Sequence, residues 1–157
     1  MGANASLIGH LAELLRGGHA HTKFEDAVKK VPMAKAGARP EGSPYSIWEL
    51  VEHIRIAQHD ILKFSEGAKW KSPKWPEGYW PKSPKPKDAA AWRKSVGAVR
   101  ADLKAFEKLL HKRAHELDAP FAWGDGQTLL REALLIADHN AYHVGQIVLV
   151  RRLLGIW

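Results

Sequence analysis

Trp92, Val96, Val99, Leu103, Phe106 and Leu110 stand at successive steps of four, three, four, three and four. A chain turning every 3.6 residues puts all six on one face, whereas a strand would scatter them over two. The spacing therefore predicts a helix, from Asp88 as a suitable N-cap to about Leu117. The same period recurs in Ile47, Leu50, Val51, Ile54, Ala57, Ile61 and Phe64. That segment begins at Ser46 and Glu49, which have capping-box spacing, and ends near Gly67. A first helix is expected from Ala5 to Arg16, with Leu7, Leu11, Leu14 and Leu15 inward and Gly17 and Gly18 stopping it. A last one is expected from about Thr128 to Leu154. Thr22 and Glu25 repeat the capping-box spacing and predict a short helix that Pro32 ends; the stretch on to Pro44 reads as loop. No alternating run of period two occurs. Four long amphipathic helices without strands predict an all-α fold, a four-helix bundle. With 157 residues, the whole chain fits one domain, 1–157.

Composition narrows the chemistry. There is no cysteine, which excludes disulfides, thiolate metal sites and a protein-borne cysteine nucleophile. The N-terminus lacks a basic start followed by a long apolar run, and no stretch reaches about 18 uncharged apolar residues. A cytoplasmic protein with no membrane partner is expected. The net charge of +7 can attract nucleic acid or an anionic substrate. Much of it, however, lies in Lys69, Lys71, Lys74, Lys82, Lys85 and Lys87, within one Pro-rich stretch. No basic helix face or reading motif accompanies it, so a solvated loop is the simpler reading and nucleic acid is not the expected partner.

That stretch, KWKSPKWPEGYWPKSPKPK, carries Trp70, Trp75, Tyr79 and Trp80 among five prolines. A disordered linker rarely holds so many large aromatics, because burial stabilises them. The aromatic part is expected to pack over the bundle, either roofing a site or merely covering a helix junction.

Nine histidines occur. His10, His19, His21, His59, His111 and His115 read as surface or packing residues; His111 and His115 stand four apart, but beside Lys108, Lys112 and Arg113, a face that repels a cation. His139 and His143 also stand one turn apart, on a face shared with Glu132, Ile136, Gln146 and Val150 that looks inward. Two buried imidazoles need partners, either each other and neighbouring groups or a shared metal ion. His53 lies beside the apolar stripe of the second long helix. Spacing alone leaves it an ordinary half-buried histidine, although a bundle can set it opposite the pair.

SIWELVEHIRIAQHDI, WPEGYWP and TLLREALLIADHNAYHVGQIVLVRRLLG resemble the DinB-like (DinB/YfiT) superfamily. The resemblance extends from about Leu7 to Gly155, and its most specific element is ADHNAYHVGQ together with the histidine of WELVEHI. It implies a four-helix bundle of up-down-down-up order, with a divalent metal held by His53, His139 and His143. Zn or Ni is the leading expectation, with Fe or Mn next. It also implies a homodimer, and relatives that include transferases and isomerases using a low-molecular-weight thiol. Three neutral ligands leave a coordination position open, where an ion lowers the pKa of water toward ~7 or activates a thiolate. The expected function is a metal-dependent transferase or hydrolase acting on a small molecule. The alternative is a non-catalytic, metal-stabilised dimer working through a partner. No general base is evident: Glu132 falls ~10 Å below His139 along the helix. Glu49 and Gln146 are the expected supports for the imidazoles, while Asn140 and Tyr142 point to other faces.

Overall fold

The computed structural model describes residues 3–157, with side chains from Ala5 onward. Six helices follow in order: α1 (Ala3–Arg16), α2 (Phe24–Val28), α3 (Met33–Ala36), α4 (Ile47–Glu66), α5 (Ala89–Lys112) and α6 (Leu129–Leu153). Among the described residues there is no strand, only an isolated bridge between Pro120 and Thr128. No helix is long and apolar enough to cross a membrane.

The start of α4 follows the local chemistry. Ser46 Oγ accepts from Glu49 N–H at 3.2 Å, and the Glu49 carboxylate accepts from Ser46 N–H at 2.8 Å, so both halves of the capping box form. Asp88 and Thr128 cap α5 and α6 in the expected way. Such a cap stabilises a helix by about 1 kcal/mol. The Thr22–Glu25 box does not form: α2 begins at Phe24 behind Lys23, which makes no side-chain cap bond. Glu25 is drawn instead to Arg100 on α5, which it meets in a bidentate ion pair. Two further boundaries differ. The expected loop from Pro32 to Pro44 contains α3, which Pro32 starts. Helix α5 stops at Lys112, and the chain reaches Leu117 through a separate 3-10 turn, Ala114–Glu116. Helix α1 buries Ile8, Leu11, Ala12 and Leu15, leaving Leu7 and Leu14 partly in water.

α4 packs against both α5 and α6, and α1 lies against α5 and α6. The interior divides into two apolar clusters. One gathers Leu50, Val51, Ile54, Trp92, Val96, Val99, Val144, Ile147 and Val150, with Ala27 and Val28 of α2 joining it. The other gathers Leu11, Leu15, Leu62, Phe106, Leu110, Leu129, Ala133 and Ile136. Burying each large side chain stabilises the fold by about 1.5–3 kcal/mol. On α6 the first cluster takes residues from Val144 on and the second those up to Ala137, so His139, Asn140 and His143 fall at their junction.

Candidate metal centre

Helix geometry places the three histidines at that junction. His139 and His143 leave α6 one turn apart, and α4, packed alongside, supplies His53 from the opposite wall. His53 and His143 are only 5% and 7% exposed. Such burial requires that each ring nitrogen be accounted for.

His53 Nδ1 lies 2.8 Å from the Tyr79 carbonyl oxygen. A carbonyl only accepts, so Nδ1 carries the proton and Nε2 keeps its lone pair. His143 Nδ1 donates to Gln146 Oε1 at 2.7 Å, which leaves its Nε2 free in the same way. His139 Nε2 stands 3.0 Å from His53 Nε2. One ligand atom from each of the three lies within 4.8 Å of the others. Two nitrogens held by one metal at about 2.0–2.1 Å are roughly 3.0–3.4 Å apart, so the observed spacing suits a shared ion.

An orphan pair strengthens this fit. His139 Nδ1 and Asn140 Oδ1 are buried without a hydrogen-bond partner. Without a cation, the only proton that can mediate the His139–His53 contact sits on His139 Nε2, and Nδ1 is then left bare. A cation held by these histidines would let His139 keep its proton on Nδ1, beside the Asn140 side chain. Asn140 itself is fixed, because its Nδ2 donates to Gln58 Oε1 at 2.7 Å while Gln58 Nε2 donates to Val99 O.

The electrostatics keep the rings neutral. Burial pushes His139 down to about 4, with positive charge on His143 and His53 adding to the effect. Burial also pushes His143 down to about 4, against the opposing hydrogen bond to Gln146. His53 is lowered by burial too, partly offset by the Tyr79 carbonyl. Three neutral imidazoles at pH 7 are the protonation state a metal needs.

An aromatic wall encloses one side. The Trp80 indole stacks on His53 at 4.0 Å and 1°, and on Tyr45 at 4.2 Å and 10°, so it is sandwiched between them. It meets His143 edge-on at 6.3 Å. Trp80 is thus the loop tryptophan that reaches the site, next to the Tyr79 carbonyl. Trp75 does not: it is 70% exposed and touches Tyr79. Trp70 turns its Nε1 to Asp60.

Other sequence expectations resolve differently. Glu49 is not a support for His53, because Arg39 and the Ser46 cap take its carboxylate. Gln146 does support His143. Glu132 is buried and paired with Arg131, and burial raises its pKa. Tyr142 is exposed and edge-on to His143 at 4.9 Å. His59 pairs with Asp102 at 2.9 Å. His111 and His115 are exposed and on separate elements, α5 and the following turn, so they share no face. Asp60 and the Tyr79 carbonyl went unnoticed in the sequence, since neither has a signal until the loop folds back along α4.

No curated protein and no solved structure matches the chain. Residues 18–147, which contain all three histidines, match the DinB superfamily. That span covers most of the 157 residues, and the chain belongs to the DinB superfamily.

Proposed function

We propose that this protein is a metal-dependent enzyme of the DinB superfamily, with Zn or Ni, or else Fe or Mn, held by His53, His139 and His143. The observation that carries the reading is the convergence of three neutral imidazoles, two of which have Nδ1 spent on an oxygen acceptor. An ion bound there supplies Lewis acidity to a water or a small thiol. The chain's own groups supply the rest. Tyr79 O and Gln146 orient two rings, Asn140 Oδ1 is left open as an acceptor for the third ring's Nδ1, and Trp80 covers one side. The absence of cysteine is compatible with a thiol arriving from solution. The reaction class is transfer or hydrolysis of a small molecule, carried out in the cytoplasm by helices in up-down-down-up order.

The outer face of α6 supports a homodimer. Leu134, Tyr142, Leu149 and Leu153 are 46%, 65%, 56% and 54% exposed along this one helix. Exposed apolar patches of this kind mark contacts. The same face gives the alternative, a non-catalytic metal-stabilised dimer, its supporting observation.

Elemental analysis of the purified protein tests the metal. His53→Ala, His139→Ala and His143→Ala should each fall well below stoichiometric content, with His111→Ala unchanged. A thiol-transfer screen on electrophiles separates enzyme from scaffold. Leu149→Glu, read by light scattering, should yield monomer.

A further inference from the structure

Ser46, the N-cap of α4, and His53 and Asp60 within the helix are spaced seven residues apart and so lie along one side, about 10 Å between neighbours. All three bind the loop between α4 and α5. Ser46 Oγ donates to Pro84 O at 2.6 Å, and His53 Nδ1 donates to Tyr79 O. Asp60 accepts from Tyr79 Oη and Trp70 Nε1, each at 2.6 Å. The loop thus runs antiparallel to α4, pinned at both ends, with the metal-facing histidine between the pins.

Asp60 is 8% exposed. A carboxylate so buried is costly unless its oxygens are satisfied, and here one oxygen takes each loop donor. Tyr79 is the residue that joins this anchor to the site. Its hydroxyl binds Asp60, its carbonyl fixes the His53 proton, and the next residue, Trp80, stacks on the same imidazole. His53 is therefore held in its plane by Trp80 and in its proton position by Tyr79 O, and both contacts depend on where the loop is anchored.

We infer that Asp60, which does not touch the three histidines, is a positioning residue for His53, acting through Tyr79 and the loop. The inference rests on the metal reading above only for its consequence, tighter ion binding; the orientation of His53 is a property of the metal-free chain.

Tyr79→Phe removes one hydroxyl and leaves the backbone carbonyl, whereas Asp60→Asn keeps the shape of the anchor but loses an acceptor. Long-range 1H–15N correlation on metal-free protein reads the proton position of each imidazole. In the wild type His53 and His143 should both be protonated at Nδ1. In both variants His53 should become a mixture of tautomers while His143, held by Gln146, stays as it was. Titration of Zn2+ against a competing chelator should show about tenfold weaker binding in Asp60→Asn and a smaller loss in Tyr79→Phe. If Asp60→Asn does not fold, Tyr79→Phe decides alone. His53 still locked at Nδ1 with Zn2+ affinity within twofold of wild type would overturn the inference. So would loss of order at His143 together with His53, which marks a general loosening. If the wild type binds no Zn2+, the metal reading fails by itself, and the His53 tautomer in the variants still decides the role of Asp60.

Discussion

Acid should unfold the metal-free protein earlier than it unfolds the metal-loaded one, and the cause should be His139 and His143. Both are held at about 4 in the folded chain, against about 6.5 when unfolded. Their folded pKa is depressed, so between these limits the unfolded chain binds more protons and stability rises with pH. The full contribution is present above about pH 6.5 and is lost as pH falls toward 4. Between pH 7 and pH 5 the loss is about 2 kcal/mol for each group, or about 4 for the two together. For a chain of this size, 1 kcal/mol moves Tm by about 2–4 °C, so the melting temperature should drop by about 8–16 °C. Thermal melts followed by circular dichroism, in chelator at pH 7, 6 and 5, measure it. Replacing both residues by Gln should flatten the profile, because glutamine does not titrate. Excess Zn2+ should raise Tm at pH 7, and the gain should shrink at low pH as protons compete for the nitrogens. An unchanged Tm between pH 7 and 5, or the same slope in the double variant, would refute the assignment of buried neutral imidazoles.

Trp80→Ala removes both stacked partners, worth about 0.5–1.5 kcal/mol apiece beyond the area buried; melts and Zn2+ titration should both worsen, whereas Trp75→Ala should stay within about 0.5 kcal/mol of wild type. Arg151 is 6% exposed and donates to the carbonyls of Asp26, Ala27 and Ile156. Arg151→Met should therefore cost about 2–4 kcal/mol in urea unfolding, with Arg151→Lys recovering only part, since one ammonium cannot reproduce the fork. Asn140→Ala strands Gln58 Oε1 in the interior and should cost about 1–3 kcal/mol; adding Gln58→Met should give back much of the loss, which a double-mutant cycle would measure.

How legible each feature was depended on how local its cause is. The Ser46–Glu49 box could be read because both partners lie in one turn, and the stripe from Trp92 to Leu110 because one helix carries it. The Thr22–Glu25 box had the same spacing and did not form; Glu25 pairs instead with a guanidinium 75 residues away, which local spacing does not reveal. His139 and His143 were visible as a pair, but only the family resemblance pointed to His53, because its meeting with them depends on α4 packing on α6. Asp60 had no signal at all. In the sequence it is one acid among 17 acidic residues, and its role exists only once Trp70 and Tyr79 fold back onto it.

His111 and His115 show why spacing alone cannot find such a site. They repeat the interval of His139 and His143, yet α5 ends at Lys112 and leaves both rings in water. An imidazole in water has its nitrogens solvated and gains little from converging on another. At the junction of the two clusters Trp80 stacks on His53 and the Gln58–Asn140 amide pair packs next to His139, so the ring nitrogens there look for partners within the protein. Two Nδ1 atoms have done so; the Nε2 atoms of His53 and His139 face one another, and His139 Nδ1 has nothing. A cation at 100 times its Kd would add about 2.7 kcal/mol of stability, a little more than either buried imidazole loses on acidification to pH 5. What sets this histidine pair apart is therefore its setting: it converges with His53, one ligand atom from each ring lying within 4.8 Å of the others, an arrangement that could hold a metal ion.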